Sequence, residues 1–494
     1  MKNICWLIII LAMSLTFRFL IVLDAQKNPE RLETPDSVEY ISLGQNLVRT
    51  GEFERKNMPE IFRVPAYPAF IAATDSQTWK IYSDPAKRRN FELSAWLAPI
   101  YQSVLDVILV LIVFWMGAKF YSKKVGLVAA AFQGFTMIAV ASSCRVLSDS
   151  LYAFCFTASL FMFLQYLRKG GAGWLILSAL VSAGACYIRS AGLVAGAIFV
   201  LVLLVCKAGY LRSEKKSATE SADEDRADEP TLKPLSNSIF RRFARAIIFA
   251  IIFAGVLAPW VYRNATVADY AGFSSVADQS GFNYQAPYIL AQTKNISLDQ
   301  ARAEMIQKYS ASVSPGGKFY DPGKPFTTGH SAKIMRALNW EIVKQHPQLY
   351  AKIHLKGSLR TWLPGASDVL EITGKTTGQR GTLDVIQREG FIAGAKHYLD
   401  SADREVFCFM IAMCIAWALK MICAFYGSCR LFLKNRFRLS STAICLILIV
   451  IVFAILPGPA AHPRFRVPIA PILSLAAGLC LFEVKKSSKE KSAN

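Results

Sequence analysis

Charged residues are scarce in this chain: only 18% of its 494 residues are Asp, Glu, Lys or Arg, against about a quarter in ordinary soluble domains. With 53% hydrophobic residues, it does not read as a single water-soluble domain. Acidic residues are scarcer than basic ones, which leaves a formal net charge of +21. Such an excess can mark a nucleic-acid binder, but in a chain this apolar the placement of the charge carries the meaning. Cysteine is missing from both long polar stretches, 24–95 and 264–403, since all eleven cysteines lie in or beside apolar segments. That excludes a disulfide framework there, and no CxxC or His/Cys cluster suggests a metal site. A small-x-small cleavage site is also missing after the first apolar stretch, where Leu23, Asp24 and Ala25 stand. An uncleaved anchor is therefore expected in place of a signal peptide.

What is abundant is long apolar runs. A helix needs about 20 mostly apolar residues to cross a hydrocarbon core of roughly 30 Å. Ten stretches qualify, near 4–23, 96–116, 126–143, 149–167, 174–188, 191–206, 245–262, 405–426, 440–457 and 467–482. The fold expected is an all-α polytopic membrane protein of about ten transmembrane helices. Lys119, Lys123, Lys124, Arg168, Lys169, Arg430, Lys434, Arg436 and Arg438 occupy short loops on one side. The positive-inside rule makes that side, and both termini, cytoplasmic.

The expected organisation follows: an N-terminal membrane module at 1–206 whose first outer loop is 24–95, a disordered acidic cytoplasmic linker at 207–244, and a seventh helix at 245–262. An outer, mainly helical domain at 264–403, C-terminal helices at 405–482 and a cytoplasmic tail at 483–494 complete it. In the outer domain, Ser297 and Gln300 form a capping box, a helix near 331–346 stops before Pro347, another runs to Thr361, a Gly- and Thr-rich mobile loop covers 364–382, and a last helix lies near 383–399.

Most of the net charge falls on cytoplasmic loops and tails, and the long outer segments are close to neutral. The remainder is a set of arginines at the outer ends of the helices, Arg18, Arg145, Arg189, Arg263, Arg464 and Arg466, with Arg63 on the first outer loop. Orientation does not require them, and a cation beside hydrocarbon costs several kcal/mol unless hydrated or paired. Arginine's planar fork suits phosphate, so a membrane-embedded phosphate is the natural counter-ion for the set. Snorkelling to headgroups is the plainer reading of any single one.

Two acids share that level. Asp36 follows Pro35 and opens an amphipathic run, near Glu39 and Tyr40, and Asp149 opens the fourth helix in R-V-L-S-D-S-L-Y. Each sits where a carboxylate commonly caps a helix. Together with the arginines they also suit a general base that activates an acceptor hydroxyl beside an anionic leaving group. Asp106, mid-helix, reads more simply as a bundle-packing group. In I-F-R-V-P-A-Y-P-A-F, Pro65 and Pro68 flank Tyr67 and favour a turn into a short interfacial helix, with the ring at headgroup level.

The motif order resembles bacterial GT-C glycosyltransferases, a fold expectation carried by residues spread over most of the chain. These are Arg18 in an uncleaved first helix, D-S-x-x-Y, R-x-P-x-Y-P, S-D-S-L, A-P-W-V-Y-R-N (Ala258–Asn264) and H-P-R-F-R-V-P-I-A-P (His462–Pro471). The nearest group is the one similar to dolichyl-phosphate-mannose protein mannosyltransferases and the lipid A aminoarabinose transferase. The resemblance implies inverting transfer of a sugar from a polyprenyl-phosphate donor to a lipid, glycan or protein acceptor, at the periplasmic face of a bacterial inner membrane. It implies Asp36 as catalytic acid residue acting as base, with Asp149 at the second acidic position, and Arg263, Arg464 and Arg466 facing the lipid phosphate. Arg63, Arg145, Arg189, Tyr40 and Tyr67 join the expected donor site. Relatives often carry a paired acid where Ser37 stands; Glu39 is its substitute here, and a divalent metal is left open. A transporter of lipid-linked sugars, or a polysaccharide polymerase or ligase, is the alternative, although no internal repeat of the carrier kind is present.

Overall fold

The computed structural model describes residues 2–81, 84–206, 239–323, 325–365, 367–375, 385, 389–390, 392–394, 396–397, 404–434 and 440–481. The linker expected at 207–244 lies mostly outside these residues. So do the tail at 483–494 and most of the helix expected near 383–399. Among the described residues the fold is helical, and its one sheet is a two-residue hairpin pairing Glu54–Arg55 with Met58–Pro59.

Each of the ten apolar stretches is helical. They form α1 (Lys2–Ala25), α4 (Ala98–Phe120), α5 (Lys123–Gly134) with α6 (Met137–Cys144), α7 (Ser148–Lys169), α8 (Ala172–Ile188) and α9 (Gly192–Val205). The later ones are α10 (Ile239–Ala268), α16 (Arg404–Lys434), α17 (Ser441–Ile455) and α18 (Ala470–Gly478). Between them, α2 (Pro35–Arg49) and α3 (Ala66–Thr74) occupy the segment expected as the first outer loop. The segment expected as the outer domain carries α11 (Ala286–Lys294), α12 (Leu298–Val313), α13 (Thr328–Gln345), α14 (Pro347–Ser358) and α15 (Ser367–Ile372).

Six segments are long and apolar enough to cross a membrane, or seven if α5 and α6 form one span, bent by 54°. The helices α8, α9 and α17 are shorter, so among the described residues the ten expected stretches do not each reach a full span's length.

The break between α5 and α6 explains much of the architecture. Backbone groups released by a bend inside a membrane must find partners within the protein. From α1, Arg18 Nη1 donates to Gly134 O at 2.9 Å and Ser14 Oγ to the same oxygen at 3.3 Å. From α16, Lys420 Nζ donates to Thr136 Oγ1 at 2.7 Å. Arg145 follows directly after α6, in the short turn that leads into α7.

Packing of α4 on α5 needs two glycines. A Cβ on Gly117 would lie 2.5 Å from Gly126 Cα, and one on Gly126 would lie 2.5 Å from Phe114 O. Small residues let membrane helices approach this closely. Gly126→Val is expected to push the two helices apart at a cost of about 1–3 kcal/mol. A clear drop in the melting temperature of detergent-purified protein checks this; an unchanged value would contradict the close packing.

The outer helices follow local signals. Ser297 and Gln300 cap α12 reciprocally, as their spacing predicts. The prolyl break at His346-Pro347 separates α13 from α14, and a 3₁₀ turn at Leu359–Trp362 ends the latter near Thr361. One correction concerns 364–382, which reads as a loop: its first part folds as α15, carrying Asp368 and Glu371 three residues apart, while 376–382 lies outside the described residues.

Candidate active site

Asp36 is not the cap of α2. Thr34 takes that place and forms a capping box with Ser37, and Pro35 supplies the preset first turn. Ser37, a departure from the pattern the resemblance implies, also donates through Oγ to Val146 O at 2.7 Å, and Val146 N donates to Leu32 O at 2.9 Å. These bonds clamp the first outer loop to the turn between Arg145 and Ser148. Relieved of capping, the Asp36 carboxylate points at cations. It accepts from Arg63 Nη2 at 2.7 Å and from Arg464 Nη2 at 2.5 Å.

The remaining groups extend this pair into a network. Arg63 also donates to Glu39 Oε2 at 2.7 Å and to Tyr40 OH at 3.2 Å. Glu39 is held on its other oxygen by Arg55 at 2.5 Å, and Arg55 reaches Glu60 at 2.8 Å. Tyr40 OH meets Ser148 Oγ at 3.0 Å. Beyond it, Arg189 lies 3.4 Å from Ser148 Oγ and 2.6 Å from Asp149 Oδ1. Asp149 does not cap α7, whose N-cap position is Leu147. Its carboxylate is 1% exposed, and despite the close approach of Arg189 neither oxygen accepts a well-directed hydrogen bond.

Arg145, expected in the site, brings with it two acids that the sequence did not place there, Asp368 and Glu371. Arg145 is bound by Glu371 at 2.7 Å and lies 3.9 Å from Asp368, so α15 reaches over the cluster. His462 Nδ1 accepts from Arg464 N at 3.3 Å, which leaves Nε2 to carry the hydrogen of the neutral ring. Burial lowers the His462 pKa, opposed by the nearby Asp368 carboxylate, and burial raises that of Asp368. Phe465 lies under both Arg189 and Arg464, with its centroid 5.2 and 5.4 Å from their guanidinium carbons.

Burial works against ionisation of Asp36, but Arg464 and Arg63 outweigh it and hold the carboxyl at about 2. A carboxyl depressed from 3.8 to about 2 contributes about 2 kcal/mol to stability. Because the folded value is the lower one, that contribution is complete above the ordinary carboxyl value and is lost as pH falls through about 2. Melting curves of wild type and Asp36→Asn should therefore keep a constant separation between pH 7 and pH 5. A separation that shrinks over this window would contradict the ion pairs.

Four expected residues stand apart from the cluster. Arg263 is spent on backbone: it donates to Glu60 O and Phe53 O, both at 2.7 Å, against the Trp260 ring, anchoring the first outer loop to α10. Arg466 is fully buried. It donates to Thr361 O at 2.7 Å and Leu363 O at 2.8 Å and stacks 3.7 Å above Trp417. Arg18 pairs with Asp106 inside the bundle. Tyr67 is buried instead of lying at headgroup level; its hydroxyl donates to Gln102 Oε1 at 2.6 Å, and its ring meets Tyr40 edge-on at 4.8 Å. Tyr67 thus supports Tyr40 from behind.

Among the described residues no three His, Cys, Asp or Glu side chains converge as a metal site. Both oxygens of Asp36 are taken by arginines, so these residues do not fit a divalent ion.

Comparison with known proteins points to the family that the motifs resemble. Residues 83–267 match the model of the family described as dolichyl-phosphate-mannose-protein mannosyltransferase. The matched part contains Arg145, Asp149, Arg189 and Arg263, and stops before the closing motif. No curated protein matches the sequence. Solved structures similar to this one include the Archaeoglobus fulgidus oligosaccharyltransferase in complex with Zn and sulfate, at 12% identity and TM-score 0.44, covering 95% of this chain and 48% of that one. Another is the same organism's AglB in complex with an inhibitory peptide and a dolichol-phosphate, at 14% identity and TM-score 0.46, covering 96% and 50%. ArnT from Cupriavidus metallidurans bound to undecaprenyl phosphate matches at 12% identity and TM-score 0.37, covering 97% and 78%. The chain spans about half the length of the archaeal proteins. This chain is a helical membrane protein with an ion-pair cluster between the segment that joins α1 to α4 and its closing motif. In sequence it resembles the protein mannosyltransferase-like group of GT-C proteins.

Proposed function

We propose that this protein is a GT-C-type membrane glycosyltransferase that transfers a sugar, with inversion, from a polyprenyl-phosphate donor to an acceptor hydroxyl. The reaction would take place at the periplasmic side of a bacterial inner membrane. The observation that carries the reading is the Asp36 carboxylate held between Arg63 and Arg464, beside two further arginines, Arg145 and Arg189. Within this cluster the Nε–H groups of Arg145 and Arg464 are buried with no partner, and buried donors of this kind are costly unless a ligand meets them.

Without donor, Asp36 neutralises the arginines and is a weak base. A donor phosphate competes for the same guanidiniums, to which it binds through two oxygens at once. As Arg63 and Arg464 turn to the phosphate, Asp36 loses the charges that depress its pKa and becomes a better proton acceptor. The acceptor oxygen then attacks the anomeric carbon from the face opposite the phosphate. The bond from that carbon to the phosphate oxygen breaks, Asp36 takes the hydroxyl proton, and the arginines hold the departing polyprenyl phosphate. Asp149 positions Arg189, and Glu39 positions Arg63.

The test is to incubate the protein in nanodiscs with polyprenyl-phosphate sugars and follow the lipids by mass spectrometry. Release of polyprenyl phosphate dependent on the protein is expected. Movement of intact lipid-linked sugar between leaflets of proteoliposomes, with none consumed, would replace the transferase by a carrier.

A further inference from the structure

A second concave site lies on the outer domain. A cavity of about 380 Å³ is lined by Phe282, Asn283, Tyr284, Pro287, Arg302 and Met305, within the usual range of small-ligand pockets. Phe282 and Met305 are buried and form an apolar floor, whereas Tyr284 is 39% exposed. Asn283 and Tyr284 stand on a single π-helical turn, Gly281–Gln285, inserted ahead of α11. Such turns occur often at functional sites. Asn339 packs close over its start: a Cβ on Gly281 would lie 2.5 Å from Asn339 Nδ2, so the amide would have to shift to admit one. The wider turn puts an amide and a phenol side by side on the surface while Phe282 remains inside.

The rim chemistry narrows the ligand. It offers an aromatic face, a primary amide and a guanidinium. Among the described residues, Arg302 meets a carboxylate only in a 3.3 Å contact with the highly exposed Asp299, and no acid lines the cavity. Its walls are helical, so their backbone groups are bonded internally and offer no edge with which an extended peptide could pair. A ring with one apolar face and several hydroxyls meets these groups well: its C–H face packs on the aromatic ring and its hydroxyls pair with amide and guanidinium. The placement is also suggestive, because the π-turn packs directly on Gly458–Ala460, the residues just before His462 and Arg464.

We propose that this cavity is a saccharide-binding subsite that holds a non-reacting sugar unit of a glycan acceptor. The acceptor role rests on the transferase reading; the binding itself does not. The full-length protein in nanodiscs is applied to a printed array of defined oligosaccharides, and the strongest binder is measured in solution by saturation-transfer NMR. At least one oligosaccharide is expected to bind, with its Kd raised tenfold or more by Tyr284→Ala and by Asn283→Ala. Both substituted residues are at the surface, and retained melting temperatures establish that the variants fold. Absence of any bound oligosaccharide, or binding indifferent to both rim substitutions, overturns the proposal. So does saturable binding of unglycosylated peptides that Tyr284→Ala abolishes, which would assign the cavity to a protein acceptor. If oligosaccharide binding depends on Tyr284 but no lipid-linked sugar is consumed, the transferase reading fails and the saccharide site stands.

Discussion

Asp36→Asn is expected to reduce release of polyprenyl phosphate by about 10²- to 10⁴-fold, the usual contribution of a positioned general base. The amide keeps the shape of the carboxyl and can accept from one arginine, but it cannot take the acceptor's proton. The capping box of Thr34 and Ser37 does not involve this side chain, so α2 should form normally. The melting temperature should fall only by the loss of the ion pairs. Glu39→Gln provides the contrast. Glu39 holds Arg63 and Arg55 without sharing Arg464, so its loss should raise the KM for the donor more than it lowers kcat. Full turnover by a well-folded Asp36→Asn variant would remove the base assignment.

The largest expected effect on stability lies deeper in the bundle. Asp106→Leu leaves Arg18, which is fully buried, facing Ser14 and Gly134 without its carboxylate. Removing one partner of a buried ion pair costs about 3–5 kcal/mol, because the other charge stays behind uncompensated. The double variant Arg18→Met/Asp106→Leu removes both charges and should recover most of that loss. Thermal unfolding of the three purified variants measures it. Equal destabilisation of the single and double variants would mean that Arg18 matters chiefly through its bonds to the bend at Gly134.

The two cases also show what composition can and cannot reveal. Apolar runs marked where long helices form among the described residues, because burying about 20 residues in hydrocarbon leaves a strong local pattern, although six or seven of these helices, not ten, reach a spanning length. The capping box at Ser297 and the break at Pro347 were equally local. The division of arginines between site and scaffold was not. Arg464 and Arg466 sit two residues apart in one motif, yet Arg464 meets Asp36 while Arg466 is wrapped by the carbonyls of Thr361 and Leu363. Their chemistry is identical, and only the turn of a short 3₁₀ segment at Pro463–Ile469 sends them in opposite directions. Asp368 and Glu371 were hidden for a related reason. A helix of under two turns among glycines gives little periodicity, and their partner Arg145 is more than 200 residues away in sequence.

The bond from Arg464 to Asp36 joins residues 428 positions apart, and it has a consequence for how the protein is made. At about 5–20 residues per second, roughly 20 to 90 s separate the synthesis of the two partners. Throughout that interval the nascent chain carries Asp36 but lacks the arginine that completes the pair. Under the proposed transferase reading, a ribosome-bound or prematurely ended chain would hold an incomplete site, and turnover would begin only once the closing motif has been made and docked, so that it would serve as a readout of finished assembly.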